Sequence, residues 1–228
     1  MKIIYLSVFT LKDYFRRTWL SAEIIMIAIL ILLYLDQYWL LSKSEVYPAL
    51  GIFSLVLVTV NSLRMTNLET NSRIYVPLTK ALSRGDYIAG KAVAVLSLDT
   101  AILTLMYVLS FLLTSVKQQF SFATGLFHLI PLLGVLLIAE GIILCCSPLV
   151  SHKLSFFWGV LILVFGSAQP WKITTYVFPP IKQLIISSYE NNNLLTLSQY
   201  FLAIVYIVGF YSLALYLFGK RELDFEQK

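Results

Sequence analysis

The chain has 228 residues, of which 59% are hydrophobic and 13% charged, and its mean hydropathy is +0.82. That exceeds what a soluble domain can carry on its surface and excludes a soluble enzyme of ordinary build. The net charge of +5 suits either nucleic acid or a membrane surface, and the placement of the basic residues decides for the membrane, with no nucleic-acid partner.

In chain order, residues 1–19 read as an amphipathic interfacial helix. Ile4, Val8, Leu11 and Phe15 share one side, while Lys12, Asp13, Arg16 and Arg17 cluster on another. Its basic side would face anionic lipid head groups. The alternative is a simple extension of the first span. Apolar runs near 20 residues, the length a helix needs to cross about 30 Å of hydrocarbon, then fall at 21–41, 46–63, 87–116, 122–147, 154–168 and 198–218. The fifth is short because Gln169, Pro170 and Trp171 interrupt it. The expected fold is therefore an all-α integral membrane protein of six transmembrane helices, forming one membrane domain over 1–228. The first run is of full span length and lacks a small-residue cleavage site, so it is expected to serve as the insertion signal.

Thirteen basic residues lie in the segments that would share one side of the membrane. These are Lys2, Lys12, Arg16 and Arg17; Arg64, Arg73, Lys80, Arg84 and Lys91; Lys153; and Lys220, Arg221 and Lys228. Only Lys43, Lys117, Lys172 and Lys182 lie on the other, which places both termini of a multi-pass chain in the cytoplasm of a cell membrane.

The connection 64–91 is longer than joining two helices requires. Pro77 suits the first turn of a short helix carrying Leu78, Ala81 and Leu82 on one face, Gly85 would end it with positive φ, and Asp86 would cap the third span. Such a helix would present Ile74, Tyr75, Leu78 and Leu82 with Arg73, Lys80 and Arg84 to a grooved cytoplasmic partner. Beyond the fifth span, 169–199 falls outside by the charge count. It holds two apolar pieces, 176–178 and 184–186, broken by Pro179-Pro180 and Asn191-Asn192-Asn193. Both a re-entrant hairpin and an ordinary loop lying on the membrane fit this pattern.

Gly85 to Lys91 has the spacing of a phosphate loop, but Ala92 follows the lysine in place of Ser or Thr and no buried strand precedes it, so nucleotide binding is rejected. His128 and His152 belong to opposite sides and form no shared metal site. Asp99, about 12 residues and roughly 18 Å into the third span, and Glu140 in the fourth are costly at such depth. They line a polar cavity, pair with a basic group, or make hydrogen bonds between helices. Glu23 is expected to reach the interface, and Cys145 and Cys146 to be packing residues, as are Gly134, Gly141, Gly159 and Gly166.

Glu69, Leu78, Leu82, Ser83-Arg84, Tyr87 and Gly90-Lys91 resemble the corresponding stretch in membrane subunits of type 2 ABC exporters. Ala81 stands where that family carries proline, and Asn71-Ser72 where it carries Gly-Thr. The tail Phe218-Gly219-Lys220-Arg221-Glu222-Leu223 is also similar, as is the plan of interfacial helix, six spans and external hairpin. The resemblance implies that 64–91 contains the coupling helix, with Glu69, Arg73, Ile74, Tyr75, Leu78, Lys80, Leu82, Ser83 and Arg84 docking a separate ATP-binding subunit. ATP and Mg²⁺ would be held there, with no cofactor on this chain. Two permease chains, identical or related, would form the pathway. The apolar, aromatic walls expected for it suit a hydrophobic or amphipathic substrate such as a bacteriocin-like peptide. The rival readings are an intramembrane enzyme acting on lipid or peptide, with Asp99 and Glu140 as acid and base, and a non-transporting membrane anchor.

Overall fold

The structure is a computed structural model that describes residues 2–18, 21–35, 43–67, 83–113, 121–147, 155–169, 178–189 and 197–220. Among these residues all regular structure is helical, in the order α1 (Lys2–Thr18), α2 (Ser21–Leu35), α3 (Lys43–Asn67), α4 (Arg84–Leu113), α5 (Phe122–Phe127), α6 (Ile130–Cys146), α7 (Ser155–Ala168), α8 (Ile181–Ser187) and α9 (Leu197–Lys220). Four stretches are long and apolar enough to cross a membrane: Ser44–Thr66, Arg84–Leu113, Phe122–Cys146 and Ser198–Lys220. They correspond to the second, third, fourth and sixth of the expected spans. The first and fifth appear as shorter helices, α2 of 15 residues and α7 of 14. At 1.5 Å per residue each measures only about 20 Å. Residues 36–41 of the expected first span lie outside the described residues, whereas the fifth is ended by its own chemistry. Gln169 takes φ 40°, a left-handed backbone unfavourable to a residue with a side chain, and Pro170 follows.

The bundle is apolar on the outside, and its apolar core also buries several polar side chains. Ile52 and Val56 on α3, Leu112 on α4, Phe157 on α7, and Phe201 and Val208 on α9 are exposed, while Glu23, Asn61, Asp99 and Glu140 are buried. This distribution is what hydrocarbon as a solvent selects. Helix α6 is central, packing against α3, α4, α7, α8 and α9. Its entry is bent. Pro131 has no N–H and crowds the carbonyl four residues back, so the chain passes from α5 to α6 through His128 and Leu129, whose N–H groups bond three residues back to Gly125 and Leu126.

One detail departs from the local expectations. Helix α4 is capped by Ser83, whose Oγ accepts from Asp86 N at 3.0 Å while Asp86 Oδ2 accepts from Ser83 N at 3.4 Å. This reciprocal box makes Asp86 the third helical residue and puts Gly85 inside the helix without positive φ. On α1 the stripe expected to be apolar is largely turned away from the protein, with Ile4, Val8 and Phe15 exposed. Leu6, Thr10 and Tyr14, at i, i+4 and i+8, face the bundle. That leaves an apolar side free for the membrane interface.

Glycines set the closest approaches. At Gly90 of α4 a Cβ would come within 2.6 Å of Leu6 Cδ2, so only hydrogen lets α1 lie flush. Helix α8 is seated in the same way on two others, with Ile185 against Gly51 of α3 and Ile181 against Gly166 of α7, while Leu184 makes ordinary contact at Gly134 of α6. The described part of 169–199 is thereby packed into the bundle. Gly90→Val is expected to cost about 1–3 kcal/mol through overpacking, read as a lowered unfolding midpoint in detergent. Gly209→Val should show no such loss, because nothing lies within 4 Å of its Cβ position.

Candidate functional site

The chemistry in this chain lies in polar side chains buried between helices. Tyr14 ends the inward stripe of α1, Glu23 opens α2, Asn61 and Arg64 stand one turn apart near the end of α3, and Asp99 is midway along α4. The Tyr14 hydroxyl contacts Glu23 Oε1 and lies 2.8 Å from Asn61 Oδ1. Asn61 Nδ2 donates to Asp99 Oδ1 at 2.6 Å. Arg64 Nη1 is 4.0 Å from Glu23 Oε2, and its Nη2 donates to Ser21 Oγ at 3.3 Å. Four helices are thus cross-linked by one chain of polar contacts running Arg64, Glu23, Tyr14, Asn61, Asp99.

A second polar pair joins α6 to α9. Glu140 is fully buried and its Oε2 accepts from the Tyr211 hydroxyl at 2.7 Å. Gly141 admits this contact, since a Cβ there would meet Phe210 and Tyr211 at 3.2 and 3.3 Å. The remaining oxygens, Asp99 Oδ2 and Glu140 Oε1, are buried without a hydrogen-bond partner among the described residues. Those residues include no group of three His, Cys, Asp or Glu able to hold a metal.

The expected site residues divide into two sets. Glu69, Arg73, Ile74, Tyr75, Leu78, Lys80 and Leu82 lie outside the described residues. Ser83 and Arg84 open α4, where Arg84 Nη1 donates to Gly219 O of α9 at 2.7 Å. Nearby, Tyr87 stacks on Phe218 with ring centroids 6.0 Å apart, and Lys91 Nζ lies 5.7 Å over the Tyr87 ring. Asp99 and Glu140 are both interior, and their direct partners are Asn61 and Tyr211. Glu23 does not reach the interface as expected. It is only 2% exposed, held between Tyr14 and Arg64. Tyr14, Asn61 and Tyr211 were not among the expected site residues. The lone amide in the apolar run of α3 was the available signal, since an uncapped amide at that depth needs a partner. Cys145 and Cys146 are free thiols, and Cys145 Sγ contacts Phe210 O at 2.8 Å as a packing group.

An apolar groove of about 330 Å³ lies between α3 and α7, lined in part by Ile52, Val56, Val60, Val160 and Val164. Its two hydroxyls turn back on their own helices, Thr59 to Leu55 O at 2.7 Å and Ser167 to Val164 O at 2.9 Å, so the wall offers hydrocarbon alone. Comparison of the chain with protein-family models, curated proteins and solved structures gives no match.

Asn61→Leu strands Asp99 Oδ1 and an acceptor contact of Tyr14, and is expected to destabilise the bundle by about 1–3 kcal/mol for each group left unpaired. Tyr211→Phe removes one interhelical bond and is expected to cost about 0.6–1.7 kcal/mol. Reversible unfolding in mixed micelles with increasing dodecyl sulfate checks both, with Thr59→Val in the groove as the near-neutral reference.

Proposed function

We propose that the chain is the membrane-spanning permease subunit of an ATP-driven exporter, paired with a second permease chain and docked on a separate ATP-binding subunit that carries ATP and Mg²⁺. The chain itself supplies no hydrolytic site in this reading. The observation that supports it most is the junction at the start of α4. Three stretches that carry the family resemblance, or flank it, meet there although they are far apart in sequence. Arg84 holds the Gly219 carbonyl, Tyr87 stacks on Phe218, and Gly90 receives Leu6 of α1.

That junction gives the connection 64–91 mechanical reach. A force on its coupling helix enters α3 and α4 directly, and passes to α9 through Arg84 and Phe218 and to α1 through Gly90. Four helices would then respond to one push, which is what switching a permease pair between inward and outward states requires. In this reading α2 and α7 complete a six-span topology, residues 169–199 form the external hairpin with α8 as its buried piece, and both termini are cytoplasmic. The hydrocarbon wall of the α3–α7 groove favours a hydrophobic or amphipathic cargo, with amphipathic peptides of the bacteriocin kind as the first class to test.

Purification of the tagged chain from its native membrane is expected to recover an ATP-binding subunit with ATPase activity. Leu78→Asp combined with Lys80→Glu should release that subunit, while Arg84 is left intact because it holds α9. Absence of an ATPase, or equal recovery with the altered chain, overturns the proposal.

A further inference from the structure

The polar chain through α1–α4 has a hydrogen count that does not close with both carboxyl groups ionised. It contains three contacts: Glu23 to Tyr14, Tyr14 to Asn61, and Asn61 to Asp99. Each needs one hydrogen between its two heavy atoms, or two lone pairs face each other in a medium that cannot screen them. The Tyr14 hydroxyl has a single hydrogen. The Asn61 amide presents its nitrogen to one neighbour and its oxygen to the other, so it too can supply a hydrogen to only one of its two contacts. Two hydrogens for three contacts leave one to come from a carboxyl group at an end of the chain.

We propose that Glu23 and Asp99 form a two-position proton site, in which one exchangeable proton is shared by the two carboxyl groups through Tyr14 and Asn61. With the proton on Glu23, that carboxyl donates to Tyr14, Tyr14 donates to Asn61 Oδ1, and Asn61 Nδ2 donates to a charged Asp99, which is the amide orientation found. With the proton on Asp99, every link reverses. Asp99 donates to the amide oxygen, the turned-over amide donates to Tyr14, and Tyr14 donates to a charged Glu23 beside Arg64. The proton and the negative charge exchange ends: the O–H bond of one carboxyl group breaks and that of the other forms, the proton passing Asn61 on the amide oxygen as the amide turns over, so that its N–H bonds are kept.

The surroundings set the balance between the two ends. Arg64 stands 4.0 Å from the Glu23 end, and the buried Glu140, bonded to Tyr211, shares the interior with the Asp99 end. The ligand is a proton and not a metal ion, because a tyrosine and an amide separate the carboxyl groups and no described trio of donors converges. Tyr14 belongs to α1, so the shared proton also fastens the interfacial helix to the bundle. The site needs no ATPase and stands independently of the exporter reading.

Infrared spectroscopy of the chain in lipid nanodiscs at neutral pH tests this directly. In a Glu140→Gln parent, which removes that carboxyl from the spectrum, one carboxylic-acid C=O band equivalent to a single acid is expected, shifting on exchange into D₂O. Added to the parent, Asp99→Asn and Glu23→Gln should each abolish the band, because either amide supplies the missing hydrogen and frees the opposite carboxyl to ionise. Loss in only one of the two variants means an isolated protonated acid and overturns the sharing. For a variant that aggregates, ¹³C-carboxyl labelling of aspartates and of glutamates in the parent replaces it. The area moved by the two labels together should equal one acid, and zero or two overturns the proposal.

Discussion

The Asn61–Asp99 hydrogen bond is the tie on which the inner half of the bundle depends. In hydrocarbon neither side chain can be left to solvent, so once α3 and α4 insert, the register in which amide meets carboxyl is favoured over any sliding of one helix along the other. Each extra contact tightens that register. Tyr14 draws α1 to the same point, and Glu23 with Arg64 draws α2. Because interhelical hydrogen bonds in membranes are worth less than 2 kcal/mol each, the strength of this arrangement lies in branching across four helices rather than in any single bond.

Packing around α6 obeys a different rule. Lipid tails are as apolar as leucine, so burying apolar surface between helices supplies little drive, and close contact must come from shape. Gly51 and Gly166 let α8 sink against α3 and α7, and Gly141 lets Tyr211 reach Glu140. Short α8 would be unstable alone, being two turns long, and depends on this seat.

Much of this was legible in the sequence, and its limits follow from where the information resides. The spans at 46–63, 87–116, 122–147 and 198–218 were legible because twenty apolar residues have one cheap solution in a membrane. The cap of α4 was misassigned to Asp86 although Ser83-Arg84-Gly85-Asp86 carries the box pattern. The expectation that Gly85 ends a preceding helix hid it. Glu23 was misplaced because burial of a carboxylate depends on partners from α1 and α3, and no single-helix pattern contains them. The inward stripe of α1 has no such signal, because Leu6, Thr10 and Tyr14 are less apolar than the outward Ile4, Val8 and Phe15 that make the helix amphipathic. Of the connection 64–91, which carried most of the functional expectation, residues 68–82 lie outside the described residues.

The two buried systems are joined through α4, and this ordering constrains how the molecule can work. Going up α4 from Ser83, the chain meets α9 at Arg84 and Tyr87, α1 at Gly90, and α3 at Asp99, and α4 also packs against α6, which carries Glu140. A rotation of α4 by even a fraction of a turn therefore cannot preserve all these contacts. The apolar ones at Gly90 and Phe218 degrade gradually with distance. The polar ones at Asp99 fail abruptly, since a hydrogen bond weakens steeply once its geometry is lost. In the proposed permease, a push entering beside 64–91 would therefore turn α4 about its sharpest contact, the Asn61–Asp99 hydrogen bond midway along the helix.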